Sequence, residues 1–147
     1  MMEARMDVYK LVPGALKALM GLQDFVNGLG IDKTLSELVK IRASQINGCA
    51  FCLNMHTKDA RKMGETEQRI YGLNAWHEAP YYTDKERAAL ALTEAVTLVS
   101  TSHVPDDVYN AALAVFTPEE VAQITLAIGM INTWNRIAIT SRTQPVG

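Results

Sequence analysis

Thr117-Pro118-Glu119-Glu120 opens the longest helix that this chain can specify. A threonine at the N-cap, a proline at N1 and a glutamate at N3 satisfy the free amides of a first helical turn. The proline also occupies a position whose N–H would be unpaired anyway. The helix that follows runs to about Ile139. From Val121 to Ile131 it is apolar nearly all round, broken only by Gln123, Thr125 and Gly129. A helix without a polar face has to be covered by other helices or by a second subunit. The fold must therefore be organised around buried helices, and strand signals are weak throughout.

Helix starts and stops recur along the rest of the chain. Pro13 sits at the first turn of an apolar segment that reaches Leu29 and stops at Gly30. Asp32 or Thr34 can cap a second helix to about Ile46, which is nearly as apolar as the last one. Asn47-Gly48 is a tight break, because both residues tolerate a left-handed backbone. A third helix runs from there to Gly64. Glu65 or Thr66 opens a fourth, through Trp76 and before Pro80. Thr83-Asp84-Lys85-Glu86 is a capping box for a fifth, through Val99. Pro105 begins a sixth, to Phe116. The reading is an all-α bundle of six to seven helices. With 147 residues it forms a single domain, 1–147. So many short helices leave apolar surface uncovered, and a homo-oligomer is expected.

Composition removes several function classes. Net charge is −2 and basic residues are scattered, with no polybasic run, so no nucleic-acid partner is expected. The purely apolar runs fall far short of the roughly 20 residues of a membrane span, and MMEARMDVYK lacks the apolar stretch of a secretory signal. The expected location is cytoplasmic, without membrane contact. In a reducing compartment a cysteine pair points to redox chemistry or metal rather than to a structural disulfide.

Both cysteines lie in Cys49-Ala50-Phe51-Cys52-Leu53-Asn54-Met55-His56. On a helix, Cys49, Cys52 and His56 fall within roughly 60° of one another, and His56 is i+4 from Cys52. One helical turn brings the two sulfurs within bonding reach. A helix N-terminus lowers a thiol pKa, and on that ground Cys49 is the better activated of the two. An activated thiolate attacks an electrophilic oxygen or sulfur. With peroxide it becomes a sulfenic acid, which a second thiol converts to a disulfide. A proton relay needs a partner for the imidazole. If the helices fold back at Asn47-Gly48, residue 56 lies beside residue 40. Glu37, the only carboxylate in its helix, is then one turn away and within reach of His56 directly or through water.

Glu37, eleven intervening residues, then Cys49-x-x-Cys52-x-x-x-His56 resembles the signature of the AhpD-like alkylhydroperoxidases of the carboxymuconolactone decarboxylase superfamily. The resemblance extends over roughly residues 20 to 140. It includes Lys85-Glu86-Arg87-Ala88-Ala89-Leu90 and Asn132-Thr133-Trp134-Asn135-Arg136. It implies an AhpD-like helical bundle, a homotrimer or homohexamer, and thiol-dependent reduction of small organic hydroperoxides. It also implies that Cys52 attacks the peroxide and Cys49 resolves the sulfenic acid, with Glu37 and His56 as the relay. The disulfide would be reduced by a dithiol partner, either a lipoyl domain or a thioredoxin-like protein. No nucleotide fingerprint is visible, so no cofactor is expected. Phe51 stands where the well-studied peroxidase of the family has a second histidine. That departure motivates an alternative, a thiol–disulfide adaptor or redox sensor with little peroxidase activity.

Blander readings stand beside these. Two cysteines and three dispersed histidines fall short of a four-ligand zinc site, so no metal is expected. Glu86 and Glu120 read as capping residues and His77 as a surface histidine. Arg136 needs an acid or carbonyl partner, and Met55 and Met63 are expected to wall the thiol site.

Overall fold

The residue that turns the chain back on itself is Gly48. Its φ of +70° closes the helix before it in a left-handed cap, a backbone conformation that costs a side-chain-bearing residue about 1–2 kcal/mol. The computed structural model describes residues 2–147. Among them it places nine α-helices, one 3₁₀ turn and no strand. These are α1 (Val8–Leu11), α2 (Ala15–Asn27), α3 (Lys33–Asn47), α4 (Ala50–Lys62), α5 (Glu67–Tyr71), the 3₁₀ turn Leu73–Ala75, α6 (Asp84–Thr97), α7 (Val99–Ser102), α8 (Asp106–Val115) and α9 (Pro118–Ser141). The all-α reading holds. All seven expected helices are present, and the short α1 and α7 are additional.

The starts follow the side-chain chemistry. Thr117 accepts from the Glu120 amide at 3.1 Å while Glu120 accepts from the Thr117 amide, also at 3.1 Å. Thr83 and Glu86 repeat the arrangement at α6. Asp32, rather than Thr34, caps α3 through the Leu35 amide, and Thr66, rather than Glu65, caps α5.

The α2 and α5 boundaries differ from expectation. Pro13 lies in a turn ahead of α2, because Gly14 adopts φ +88° at the N-cap. α2 also stops earlier, with Gly28 as its C-cap. The expected helix through Trp76 breaks at Gly72. There a Cβ would stand 3.3 Å from the Gln68 carbonyl oxygen and from the Tyr81 ring, tighter than ordinary contact, so glycine suits the close approach of the loop. The Tyr82 hydroxyl fixes that loop by donating to the Arg69 carbonyl at 2.6 Å.

α3 is the central helix, packed between α4, α6 and α9. Leu35 and Val39 face a core with Leu92, Phe116 and Ile128. Leu38 and Ile41 face a second core with Leu73, Trp76 and Leu90. α9 contributes Val121, Ile124, Ile128 and Ile131 to the interior, while its Leu126 and Ile139 remain exposed, as do Leu22 and Phe25 of α2. No single helix among the described residues is long and apolar enough to cross a membrane.

An amide network, buried at Asn132 and Asn135, holds the α3–α4 reversal. Asn47 Nδ2 donates to the Oδ1 atoms of Asn132 and Asn135, both at 2.9 Å, and Asn135 donates to Ser44 Oγ at 3.0 Å. Asn132 donates to Thr97 Oγ1 at 3.0 Å, and Arg136 donates to Asn132 Oδ1 at 2.6 Å and to its carbonyl at 3.2 Å. Arg136 is thus satisfied by an amide and a carbonyl, with no acid involved.

Two glycine substitutions separate backbone strain from packing, since neither added Cβ meets a neighbour within 4 Å. Gly48→Ala is expected to lower the unfolding free energy by about 1–2 kcal/mol. Gly129→Ala, inside α9 and without positive φ, is expected to raise it by roughly 0.5–1 kcal/mol. Urea denaturation measures both, and equal signs would contradict the assignment of strain to Gly48.

Candidate active site

Cys49 is the N-cap of α4, and its Sγ accepts from the Cys52 amide at 3.3 Å. The cap position follows from the reversal just before it, which leaves Cys49 extended and starts the helix at Ala50. Cys49 and Cys52 form a disulfide with a Cα–Cα separation of 5.3 Å. Both are only 1% exposed, packed with Ala138 of α9 and Phe51.

Cys52 is nevertheless reachable. A cavity of about 410 Å³ is lined by Cys52, His56, Phe51 and Met55 of α4, together with Lys40 of α3. Trp134, Ile137 and Ala138 of α9 close one side. Tyr9 of α1 and Leu16, Met20, Gln23 and Asn27 of α2 close the other. Cys49 is not part of the wall. A second hollow of about 330 Å³, bounded by Thr57, Arg61, Ile70 and Tyr71, is more open and holds neither thiol nor imidazole.

Behind the cavity wall, His56 Nδ1 approaches Glu37 Oε2 to 3.3 Å. The approach lies off the hydrogen-bonding direction, and neither atom has another partner among the described residues. Glu37 is 8% exposed, and its other oxygen accepts from Lys40 Nζ at 3.1 Å. Burial pushes the Glu37 carboxyl up, but the adjacent His56 ring and the Lys40 ammonium outweigh it and hold the group below the ordinary carboxylate range. The side chain therefore stands as a buried carboxylate at neutral pH.

The other histidines lie apart from this cavity. His77 is stacked on Trp76 and approaches Glu94 Oε2 to 3.3 Å. Burial of Glu94 is outweighed by hydrogen bonds from Trp76, His77 and Arg42, which keep it ionised. His103 caps α7 in a left-handed conformation. Met55 reaches the cavity, whereas Met63 is exposed at the end of α4 and does not line it. The sequence expectation for Met63 is corrected: at i+8 from Met55, it lies more than two turns further along α4.

Sequence reasoning missed Lys40, Tyr9, Gln23 and Trp134. Lys40 carries a local signal, since i+3 from a buried carboxylate is where a neutralising cation belongs. Trp134 lies in the Asn132–Arg136 segment of the resemblance, though with no role attached, and Tyr9 and Gln23 carry no signal. Trp134 Nε1 donates to Gln23 Oε1 at 2.8 Å across 111 residues, and only the folded chain brings them together.

Residues 13–95 match the carboxymuconolactone decarboxylase family. The uncharacterized protein YdfG of Bacillus subtilis (strain 168) is 46% identical over 138 residues, covering 94% of each chain. The crystal structure of ATU0492 from Agrobacterium tumefaciens superposes with a TM-score of 0.95 at 44% identity, over 99% of each chain. That protein is of unknown function and provisionally assigned to AhpD-type antioxidant defence. An uncharacterized peroxidase-related protein from Silicibacter sp. TM1040 shares the fold, with a TM-score of 0.82 at 20% identity, over 95% of this chain and 74% of that one. The chain belongs to the carboxymuconolactone decarboxylase family and has its AhpD-like helical fold. The cysteine pair fits a redox role within it.

The ionised state of Glu37 has a measurable consequence. A carboxyl whose pKa is depressed by folding stabilises above its ordinary value near 4.5, and that contribution fades as pH falls through the folded-state value. Glu37→Gln is expected to be less stable than the parent at neutral pH by about 1–3 kcal/mol. The gap should close as the medium is acidified below the ordinary carboxylate pKa. Glu94 titrates in both proteins and cancels. Denaturation at a series of pH values tests this, and a gap independent of pH would contradict it.

Proposed function

We propose that the protein is a thiol-dependent hydroperoxidase of the AhpD type, cycling through the Cys49–Cys52 disulfide. The observation that carries this reading is that Cys52 and His56 share the wall of one largely apolar cavity, with an ionised carboxylate directly behind the imidazole. In the reduced protein, His56 takes the Cys52 proton and Glu37 stabilises the imidazolium. The Cys52 thiolate attacks the nearer peroxide oxygen; the S–O bond forms, the O–O bond breaks, and the departing alkoxide takes the relay proton to leave as alcohol. Cys49, favoured as thiolate by the Cys52 amide at its sulfur, then attacks the Cys52 sulfenic sulfur. The disulfide forms, and the released hydroxide leaves as water after protonation. Two thiols and one hydroperoxide thus give a disulfide, an alcohol and water.

The apolar walls suit a small organic hydroperoxide with a hydrocarbon body. The burial of both sulfurs favours a dithiol reductant on a slender arm, such as a lipoyl group, over direct docking of a thioredoxin-like protein. The exposed apolar side chains of α2 and α9 are the surface that a homotrimer or homohexamer would cover, and the reading places the enzyme in the cytoplasm. Phe51 supports the competing role of thiol–disulfide adaptor, since it puts an aromatic ring beside Cys52 where a relay would use an imidazole. Sulfurs this deeply buried oppose that role.

Reduced protein treated with cumene hydroperoxide is expected to lose both free thiols and to turn over with dihydrolipoamide. Cys52→Ser should abolish turnover, and Cys49→Ser should stop at a sulfenic acid that dimedone traps. Unchanged thiols, or a Cys52→Ser variant as active as the parent, would overturn the assignment. A peroxide rate no better than that of a free thiol, with fast exchange against a protein disulfide, would favour the adaptor.

A further inference from the structure

Asp59 adds a third ligand-bearing side chain to the Glu37–His56 pair. One ligand atom from each of Glu37, His56 and Asp59 lies within 4.8 Å of the others. Glu37 comes from α3, and His56 and Asp59, three residues apart, project from one face of α4. Two observations distinguish this from an ordinary acidic cluster.

The first is the pair of orphaned atoms. Glu37 is more than nine-tenths buried, and neither its Oε2 nor His56 Nδ1 has a hydrogen-bond partner among the described residues. Buried polar atoms are rarely left unpaired, and an unpaired one in a native fold calls for an explanation such as an ion. A cation bound there would take the Nδ1 lone pair in place of a proton, beside the carboxylate oxygen.

The second is the spacing. With ligand bonds of about 2.0–2.1 Å, two donors on a tetrahedral zinc ion stand roughly 3.3–3.4 Å apart. The Oε2–Nδ1 separation is 3.3 Å and lies off the hydrogen-bonding direction. Asp59, partly exposed on α4, brings a carboxylate oxygen within 4.8 Å of both. Lys40 is bound to the opposite oxygen, Oε1, and leaves Oε2 free. It also offsets one of the two carboxylate charges. An imidazole in a weakly anionic set suits zinc better than calcium or magnesium, which prefer all-oxygen shells.

We propose that Glu37 Oε2, His56 Nδ1 and Asp59 form a binding site for a zinc-type divalent cation, lying behind the cavity that His56 lines. The site needs neither cysteine, so it exists in the disulfide form. Where the proposed relay operates, cation and proton compete for the same two atoms, and zinc is then an inhibitor of the thiol cycle. That last consequence rests on the hydroperoxidase reading; the binding site does not.

The test uses full-length protein with the Cys49–Cys52 disulfide intact, so that no thiolate contributes a ligand. Zinc chloride is titrated calorimetrically after chelator treatment. The expected result is about one zinc per chain, with affinity at least tenfold lower in Asp59→Asn. Asp59 is partly exposed, and a thermal melt in EDTA confirms that this variant is folded. His77→Gln, which removes the histidine beside Glu94, should leave the binding unchanged. Absence of binding to the oxidised protein overturns the proposal, as does an Asp59→Asn variant that binds like the parent or loss of binding in His77→Gln. Zinc binding in a protein whose thiols ignore hydroperoxide would uphold the site while removing the hydroperoxidase reading.

Discussion

The reversal between α3 and α4 is the constraint on which the rest depends. A left-handed Gly48 lets the chain double back, and Asn47 then ties that corner to α9 through Asn132 and Asn135. Asn132, Asn135, Ser44 and Thr97 are buried, so a missing partner among them would leave a polar group unsatisfied in a low-dielectric interior, at a cost of about 1–3 kcal/mol. This fixes one register between the two helices. In that register the start of α4 presents Cys49 as a cap, Cys52 one turn on, and His56 opposite Glu37. A different corner would keep the same residues and lose their alignment.

Within that alignment, electrostatics and access are divided between the two sulfurs. Cys49 receives the amide at the helix start but has no share of the cavity wall. Cys52 faces the cavity and the imidazole. Helix geometry alone favours Cys49 as the more acidic thiol, while access favours Cys52 as the one a small molecule meets. The two arguments concern different properties and need not agree. A similar balance sets the state of Glu37: burial disfavours its charge, and the cation and ring on either side restore it.

Much of the architecture is legible in the linear chain because helix ends are local chemistry. The capping boxes at Thr83 and Thr117 and the break at Gly48 each involve residues within four positions of one another, and the helices start or stop there. The nearness of Glu37 to His56 follows from counting turns either side of that break. The failures have a common cause. The helix opened by Thr66 ends at Gly72, where the Tyr81–Tyr82 loop packs closely against it. Gln23 and Trp134 meet only across 111 positions, and Tyr9 joins the cavity wall only once the chain is folded. Asp59 carries no signal in the linear chain, because its nearness to Glu37 exists only after α3 and α4 are paired.

The cavity has unequal sides. Its inner face belongs to α3, α4 and α9, which also carry the core, but its outer face is α1 and α2, and α2 contributes only Val26 to the buried interior. Change on the inner face is coupled to foldability. Change at the exposed Leu16 or Met20 is far less coupled to it. A lineage could therefore remodel the guest compartment through this outer hairpin alone, with the sulfur chemistry and the scaffold inherited intact.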